Sequence, residues 1–331
     1  MTSASQLLSR RETVVCGLCG SSRNEQILDQ DQHGLGLKTV ICNSCGLLFL
    51  NPRPTADAYQ AFYEGLYHKL YPSRLAFAGS SISQTTGEAR VRSYLPYLDG
   101  EINLLEVGAG DGSFLFAMRQ LLTTARASGL DLAPEEVNLC RQRALDVRLG
   151  TIETESSGAY THIAAFHTLE HALDPLGMLR AMAARLVSGG LLFLEVPDIE
   201  SNWHGLSMIH VAHPYMFSAH TLSQLLRTAG FEPLTVEQLQ TEPFTHSLRA
   251  IARLAADPVT ISYSAPDVKL TRDAIQRKVG NLQKQALLRT VRNTARALLP
   301  QRLIALLWRV RTYGFQATTG KGNPHTPGVH A

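Results

Sequence analysis

The chain has 331 residues, 44% apolar and 18% charged, which suits one substantial domain with an accessory module and excludes wholesale disorder. The formal net charge is only +3, yet Lys269 to Arg311 carries eleven Lys and Arg against the single acid Asp273, so the remainder is net acidic. No run of 18 apolar residues occurs, and the polar N-terminus with Arg10 and Arg11 lacks a signal-peptide apolar block; the expected location is cytoplasmic.

Residues 1–13 are expected to be disordered. Cys16-Gly-Leu-Cys19 and Cys42-Asn-Ser-Cys45 are two knuckles 22 residues apart, each followed by a glycine. Four thiolates at this spacing suit a tetrahedral structural Zn²⁺. Cys140 stands alone in a helical pattern, so the five cysteines do not form a disulfide framework. A zinc ribbon over residues 14–54 is therefore expected, with a hairpin between the knuckles. So short a segment cannot bury much, and the metal is expected to supply most of its order, about 10–16 kcal/mol for structural zinc. Arg23 and Lys38 are its only cations between the first and last cysteine, which argues against a nucleic-acid partner.

Residues 55–100 read as a helical lead-in and lid. Ala58, Tyr59, Phe62, Tyr63, Leu66, Tyr67 and Leu70 recur at helical spacing. The stretch 79–87, rich in Ser, Thr and Gln, predicts a mobile loop, and 88–98 a helix. From 101 to 256 strands alternate with helices: strands at 102–107, 126–132, 147–149, 162–166 and 190–196, helices at 112–122, 134–144 and 174–187, the last expected to stop at Gly189-Gly190. Ser218 caps a further helix ending at Gly230. Strand-like runs at 231–239 and 247–254 then predict an antiparallel hairpin. The fold class that follows is α/β, a doubly wound, mostly parallel seven-stranded sheet with an N-terminal four-cysteine zinc ribbon and a helical C-terminal tail.

The chemistry centres on Leu104 to Phe114, an apolar strand, three glycines at alternate positions (Gly108, Gly110, Gly112) and a helix start. Such a turn lies at the carboxyl end of the first strand, where ligands bind in doubly wound sheets. The third glycine comes one residue early for a dinucleotide fingerprint, and Glu106 places a carboxylate where a pyrophosphate would sit. A cationic cofactor suits the turn better. Asp131, ending the second strand, can accept both hydroxyls of a ribose, a role that serves adenosylmethionine and NAD equally.

Glu106, Gly108, Ala109, Gly110 and Gly112 resemble motif I of the class I S-adenosylmethionine-dependent methyltransferases. The phrases His167-Thr-Leu-Glu-His171, Asp174-Pro-Leu, Glu195-Val-Pro and Phe217-Ser, with Gly46 to Pro54 closing the ribbon, are similar to one zinc-ribbon subfamily of those enzymes. The resemblance spans roughly residues 16–254. It implies S-adenosyl-L-methionine as cofactor, with Asp131, Leu132 and His167 completing its site. It also implies a sugar, glycan precursor or other small metabolite as acceptor, methylated on oxygen or carbon. A base is optional in methyl transfer; for a hydroxyl acceptor the candidates are His213 and then His171. An RNA methyltransferase, an NAD-dependent oxidoreductase and a non-catalytic zinc-bearing scaffold are the alternatives. Residues 257–315 read as a basic amphipathic tail: Leu288, Val291, Ala295 and Leu298 lie beside Arg289, Arg292 and Arg296, with Trp308 beyond. The tail is a candidate anchor on the inner, anionic face of a membrane, or a strap docked on the acidic domain. Residues 316–331 are expected to be disordered, and the sequence leaves the oligomeric state open.

Overall fold

The computed structural model describes residues 8–70, 80–156, 158–201, 203, 206–240, 244–256, 262–265, 268–269 and 271–280. The tail stripe at 288–311 lies outside these described residues. Among them, no helix is long and apolar enough to cross a membrane.

The N-terminal part consists of β1 (Arg11–Glu12), β2 (Asn24–Leu28), β3 (Thr39–Cys42), β4 (Leu48–Leu50) and β5 (Arg53–Pro54). β2 and β3 form the expected antiparallel hairpin between the knuckles. Helices α1 (Ala56–Gly65), α2 (Tyr67–Leu70) and α3 (Ser81–Tyr94) follow. The first part of the aromatic stripe is core, with Ala58, Tyr59 and Phe62 of α1 buried, while Tyr63, Leu66, Tyr67 and Leu70 are part-exposed. Residues 81–87 are helical rather than the expected loop. Their polar side chains weaken the amphipathic signal, but Ser80 caps the helix on Ser83 N–H. Gly87 lets the helix approach its neighbour, because a Cβ there would lie 2.3 Å from the Ser113 carbonyl oxygen.

The main sheet is built from β6 (Asn103–Val107), α4 (Ser113–Leu121), β7 (Arg126–Asp131), α5 (Pro134–Gln142), β8 (Val147–Leu149), β9 (Tyr160–Phe166), α6 (Pro175–Ala183) and β10 (Leu186–Pro197). After β11 (Tyr215–Met216) come α7 (Ala219–Thr228), β12 (Phe231–Gln238) and β13 (Ser247–Leu254). The seven strands run in the order β12-β13-β10-β9-β6-β7-β8. The five strands from β10 to β8 are parallel, and β13 and β12 add the expected antiparallel edge. One apolar layer, with Phe114, Met118 and Val137, packs α3, α4 and α5 on one face. The other carries Leu179, Met182, Leu222, Leu225 and Leu226 of α6 and α7. α6 ends at Ala183, not at the glycine pair. Gly189 and Gly190 instead interrupt β10, whose register against β9 shifts between Leu186 and Leu191.

The ribbon buries far more than its length alone allows. β3 and β4 are buried at every position, and Val40, Leu47 and Phe49 belong to the same apolar cluster as Leu194, Phe217 and Leu225. The ribbon has support besides the metal expected from the sequence: β11, from the stretch read as irregular, pairs with β4 and extends the ribbon sheet to β11-β4-β3-β2. Tyr215 of β11 leaves no room for a side chain at Gly17, whose Cβ would lie 2.6 Å from the Tyr215 hydroxyl. Arg53 Nη1 donates to the Leu173 carbonyl at 2.7 Å, and Gln224 Nε2 to the Cys45 carbonyl at 3.3 Å. At the start of the tail, Arg272 pairs with Glu25, and Gln276 Nε2 donates to the Ile27 carbonyl at 3.4 Å.

Candidate active site

Beyond Asn103, β6 is apolar because both faces of the central strand are covered, and Glu106 is the buried exception, only 3% exposed. Its Oε2 has no hydrogen-bond partner among the described residues. Burial pushes the carboxyl well above the usual carboxylate range; Arg90 pulls it back, and the charges of Asp111 and Asp131 add to the rise. An orphaned buried carboxylate beside a glycine loop fits a cationic ligand group.

The three glycines of the loop all have positive φ but do different things. Gly108, φ 76°, closes under Thr168, whose Oγ1 would lie 2.4 Å from an added Cβ. Gly112, φ 70°, is the helix N-cap and faces Leu145 and Cys140, so its absent side chain serves packing. Gly110, φ 54°, has nothing within 4 Å of an added Cβ and is the glycine that faces open space. Ala109 is buried and its N–H joins that of Gly108 on the Leu130 carbonyl, tying the loop to β7.

Asp131 accepts from Gly110 N–H through Oδ2 and from Ala133 N–H through Oδ1, both at 2.8 Å. An ionised carboxylate has about four acceptor positions, so one on each oxygen remains for a diol. Leu132 beside it is 71% exposed, an apolar surface suited to cover a ring. Together these residues fit the adenosylmethionine expected from the sequence.

A helix and a strand contribute side chains that the motifs do not reveal. Arg90 of α3 binds Glu195 of β10 through Nε at 2.8 Å and Nη2 at 2.6 Å, lies over the Phe166 ring at 4.4 Å, and Tyr94 donates to Glu195 Oε1 at 3.3 Å. Ser83 Oγ donates to Asp111, which also caps Ser113 N–H at 3.1 Å. The available signal was Glu195 itself, an acid in an otherwise apolar buried strand that required a partner. Nothing in the polar pattern of α3 identified Arg90 as that partner.

At the end of β9 the chain turns through His167, held at φ 52° with its N–H on the Glu195 carbonyl and its Nε2 3.3 Å from Ser247 Oγ. A short 3₁₀ turn, Leu169–His171, then directs Glu170 inward, 1% exposed. Burial would raise its carboxyl, but the His167 hydrogen bond and the nearby His171 outweigh that, leaving it below the usual range. His171 and His213, the two candidate bases, are brought together from separate stretches of the chain with ring centroids 5.1 Å apart. His171 Nδ1 bonds the Ala212 carbonyl at 2.6 Å and lies 3.3 Å from Tyr63 OH. His213 Nδ1 lies 3.3 Å from the Met208 carbonyl. His210, with its ring centroid 3.8 Å from that of His213 and the rings tilted by 41°, is held neutral by burial, pushed down to about 2.

At the ribbon, Cys16 Sγ lies 3.5 Å from Cys45 Sγ and Cys19 Sγ 3.5 Å from Cys42 Sγ, and all four sulfurs fall within 4.8 Å of one another. Tetrahedral Zn–S bonds of about 2.3 Å place sulfurs about 3.8 Å apart. Gly20 and Gly46, both at positive φ, turn each knuckle so that its N–H bonds the carbonyl of Cys16 or Cys42 at 2.9 Å. Cys140 is elsewhere, with Sγ 3.3 Å from the Gly110 carbonyl.

Glu106 gives the site a stability cost that pH exposes. A carboxyl whose folded value is raised contributes its full stability below the unfolded value, 4.5, and loses it as pH rises through the folded value. Glu106→Gln without cofactor should therefore melt with the wild type near pH 4.5 and above it by pH 7.5, by about 2–4 °C for each kcal/mol recovered. Thermal melts across that range check it; parallel curves would mean that the carboxylate carries no burial cost.

Residues 84–236 match the family described as a methyltransferase domain, leaving the cysteine pairs outside the match. A ubiquinone biosynthesis O-methyltransferase of Xanthomonas campestris pv. campestris (strain B100) is 30% identical over 171 residues, which cover 45% of this chain and 71% of the relative. One from Xanthomonas oryzae pv. oryzae (strain PXO99A) is 33% identical over 115 residues, 30% of this chain and 47% of the relative. A solved SAM-dependent methyltransferase from Archaeoglobus fulgidus is 16% identical with a TM-score of 0.45, covering 56% of this chain and 99% of that one. With the glycine loop, Glu106 and Asp131 lying inside the matched residues, the chain belongs to the methyltransferase family and is an S-adenosylmethionine-dependent methyltransferase.

Proposed function

We propose that this enzyme methylates a hydroxyl oxygen of a small molecule, with sugars and glycan precursors as the acceptor class to test first. The observation that carries the reading is the cluster of Glu170, His171 and His213 beside the glycine loop. It stands at the carboxyl end of β9, two residues beyond the Thr168 that covers Gly108. The O-methyltransferase relatives support oxygen over carbon.

When bound, the cofactor supplies a methyl group already activated as a sulfonium. Glu106 and Asp131 would hold its cationic and diol ends, with Gly110 leaving space beside them. Alignment alone is worth up to about 7–11 kcal/mol in such a displacement. The polar cluster would orient the acceptor hydroxyl and favour loss of its proton to water as the carbon–oxygen bond forms, the pair of the breaking carbon–sulfur bond staying on sulfur. The four cysteines hold a structural Zn²⁺ that braces β4 and, through it, β11 and the adjoining His213.

Incubation with methyl-labelled adenosylmethionine and fractionated cell metabolites, followed by mass spectrometry, tests the reading. A labelled small-molecule ether is expected. Label confined to RNA, or to carbon in every product, would contradict it.

A further inference from the structure

We propose that Glu170, His171 and His213 form a second metal site, distinct from the four cysteines, that takes a divalent ion of the zinc and cobalt class and leaves a coordination position open to the acceptor oxygen. The inference rests on reading this cluster as the acceptor site. Its donor atoms all lie within 4.8 Å of one another, with His171 Nε2 3.9 Å from Glu170 Oε1. A tetrahedral ion with N and O ligands at about 2.0–2.1 Å needs them about 3.3 Å apart, so the donors have only a short distance to close.

The imidazoles are arranged as ligands. His171 Nδ1 and His213 Nδ1 each face a backbone carbonyl, of Ala212 and Met208, which can only accept, so in the neutral rings the proton sits on Nδ1 and Nε2 carries the lone pair. A backbone carbonyl on the far nitrogen is the outer-shell contact that metal-bound histidines make. Glu170 supplies the charge. It is 1% exposed, and its Oε2 has no hydrogen-bond partner among the described residues. His167 Nδ1 lies 3.5 Å from Oε1, leaving Oε2 as the oxygen without a partner among the described residues. A buried carboxylate oxygen without a donor is costly unless a cation meets it.

Two histidines and one carboxylate leave a fourth position unfilled, the mark of a catalytic rather than a structural centre. A crevice lined by Pro197, Ile199, Met208 and Met216 lies against Glu170 and His213. An ion there would lower the affinity of the acceptor hydroxyl for its proton and hold the oxygen in line with the methyl group. The four-cysteine site cannot do this, because its ligands are complete.

Full-length protein with the cysteine site filled by zinc is titrated with Co²⁺ by calorimetry, and total bound metal is counted after desalting. Wild type should hold two metal ions per chain. Glu170→Gln and His213→Ala should each hold one, their second affinity falling by about 100-fold or more, beyond the 10- to 100-fold typical of outer-shell changes. His220→Gln, outside the cluster, should keep both. Adenosylmethionine affinity measured on the same samples reports whether each variant is folded, and none should change more than about twofold. A single metal ion in wild type, or a second ion indifferent to both substitutions, would overturn the proposal. Because metal is counted without turnover, two ions in a protein that labels no hydroxyl would refute the acceptor reading and leave the site standing.

Discussion

Asp131→Ala is expected to weaken adenosylmethionine binding by about a hundredfold or more. The aspartate would have two duties: it accepts Gly110 N–H and Ala133 N–H at 2.8 Å, and its remaining acceptor positions would take the ribose diol. Hydrogen bonds to a charged acceptor are worth about 1.5–3 kcal/mol each, and every 1.4 kcal/mol is a factor of ten. Asp131→Asn should lose less, since it keeps one acceptor oxygen. Gly110→Arg should abolish binding at moderate cost to the fold, because the side chain enters open space and pays only the strain of φ 54°. Gly112→Ala should do the reverse, lowering the melting temperature, since its Cβ would lie 2.6 Å from Leu145 Cδ1 and 2.8 Å from Cys140 Sγ. Calorimetry and thermal melts separate these effects. Wild-type affinity in both Asp131→Ala and Gly110→Arg would refute the site.

The second large effect belongs to the ribbon. Cys42→Ser should release the ribbon's zinc and also lower the melting temperature of the whole described fold in a single transition. A freestanding ribbon would melt separately and leave the catalytic sheet untouched. Here Leu47, Phe49 and Val40 share an apolar cluster with α6, α7 and β10, and β4 pairs with β11. Loss of the metal therefore reaches His213, two residues before β11. Cys140→Ser should leave ribbon zinc unchanged. Metal analysis and scanning calorimetry decide it; retention of ribbon zinc after Cys42→Ser, or a second independent transition, would contradict the shared core.

The sequence made the alternation of strands and helices legible because apolar period and turn chemistry agreed. Ser218 is an example: it caps α7 in a capping box with Thr221, and Gly230 follows the helix. The glycine loop was equally plain, since positive φ at three glycines leaves few other residues possible. What stayed hidden depends on contacts distant in sequence. Arg90 meets Glu195 across 105 positions, and neither helix polarity nor spacing announces the pair. The two-residue strand Tyr215–Met216 is too short for a period and exists because β4 offers it an edge. Gly189 and Gly190 read as a helix stop because glycine marks both a helix end and a strand irregularity. The sequence offers His171 and His213 as separate candidates; that Glu170 converges with them follows only from the fold.

The most direct measurement is an equilibrium titration of the purified protein with adenosylmethionine and, separately, with NAD. One saturable adenosylmethionine site per chain is expected, lost in Gly110→Arg and weakened in Asp131→Ala, with no NAD binding, because Glu106 sets a buried carboxyl beside the loop and the third glycine departs from dinucleotide spacing. Saturable NAD binding that Gly110→Arg abolishes, or no adenosylmethionine binding by the folded wild type, would contradict the cofactor site.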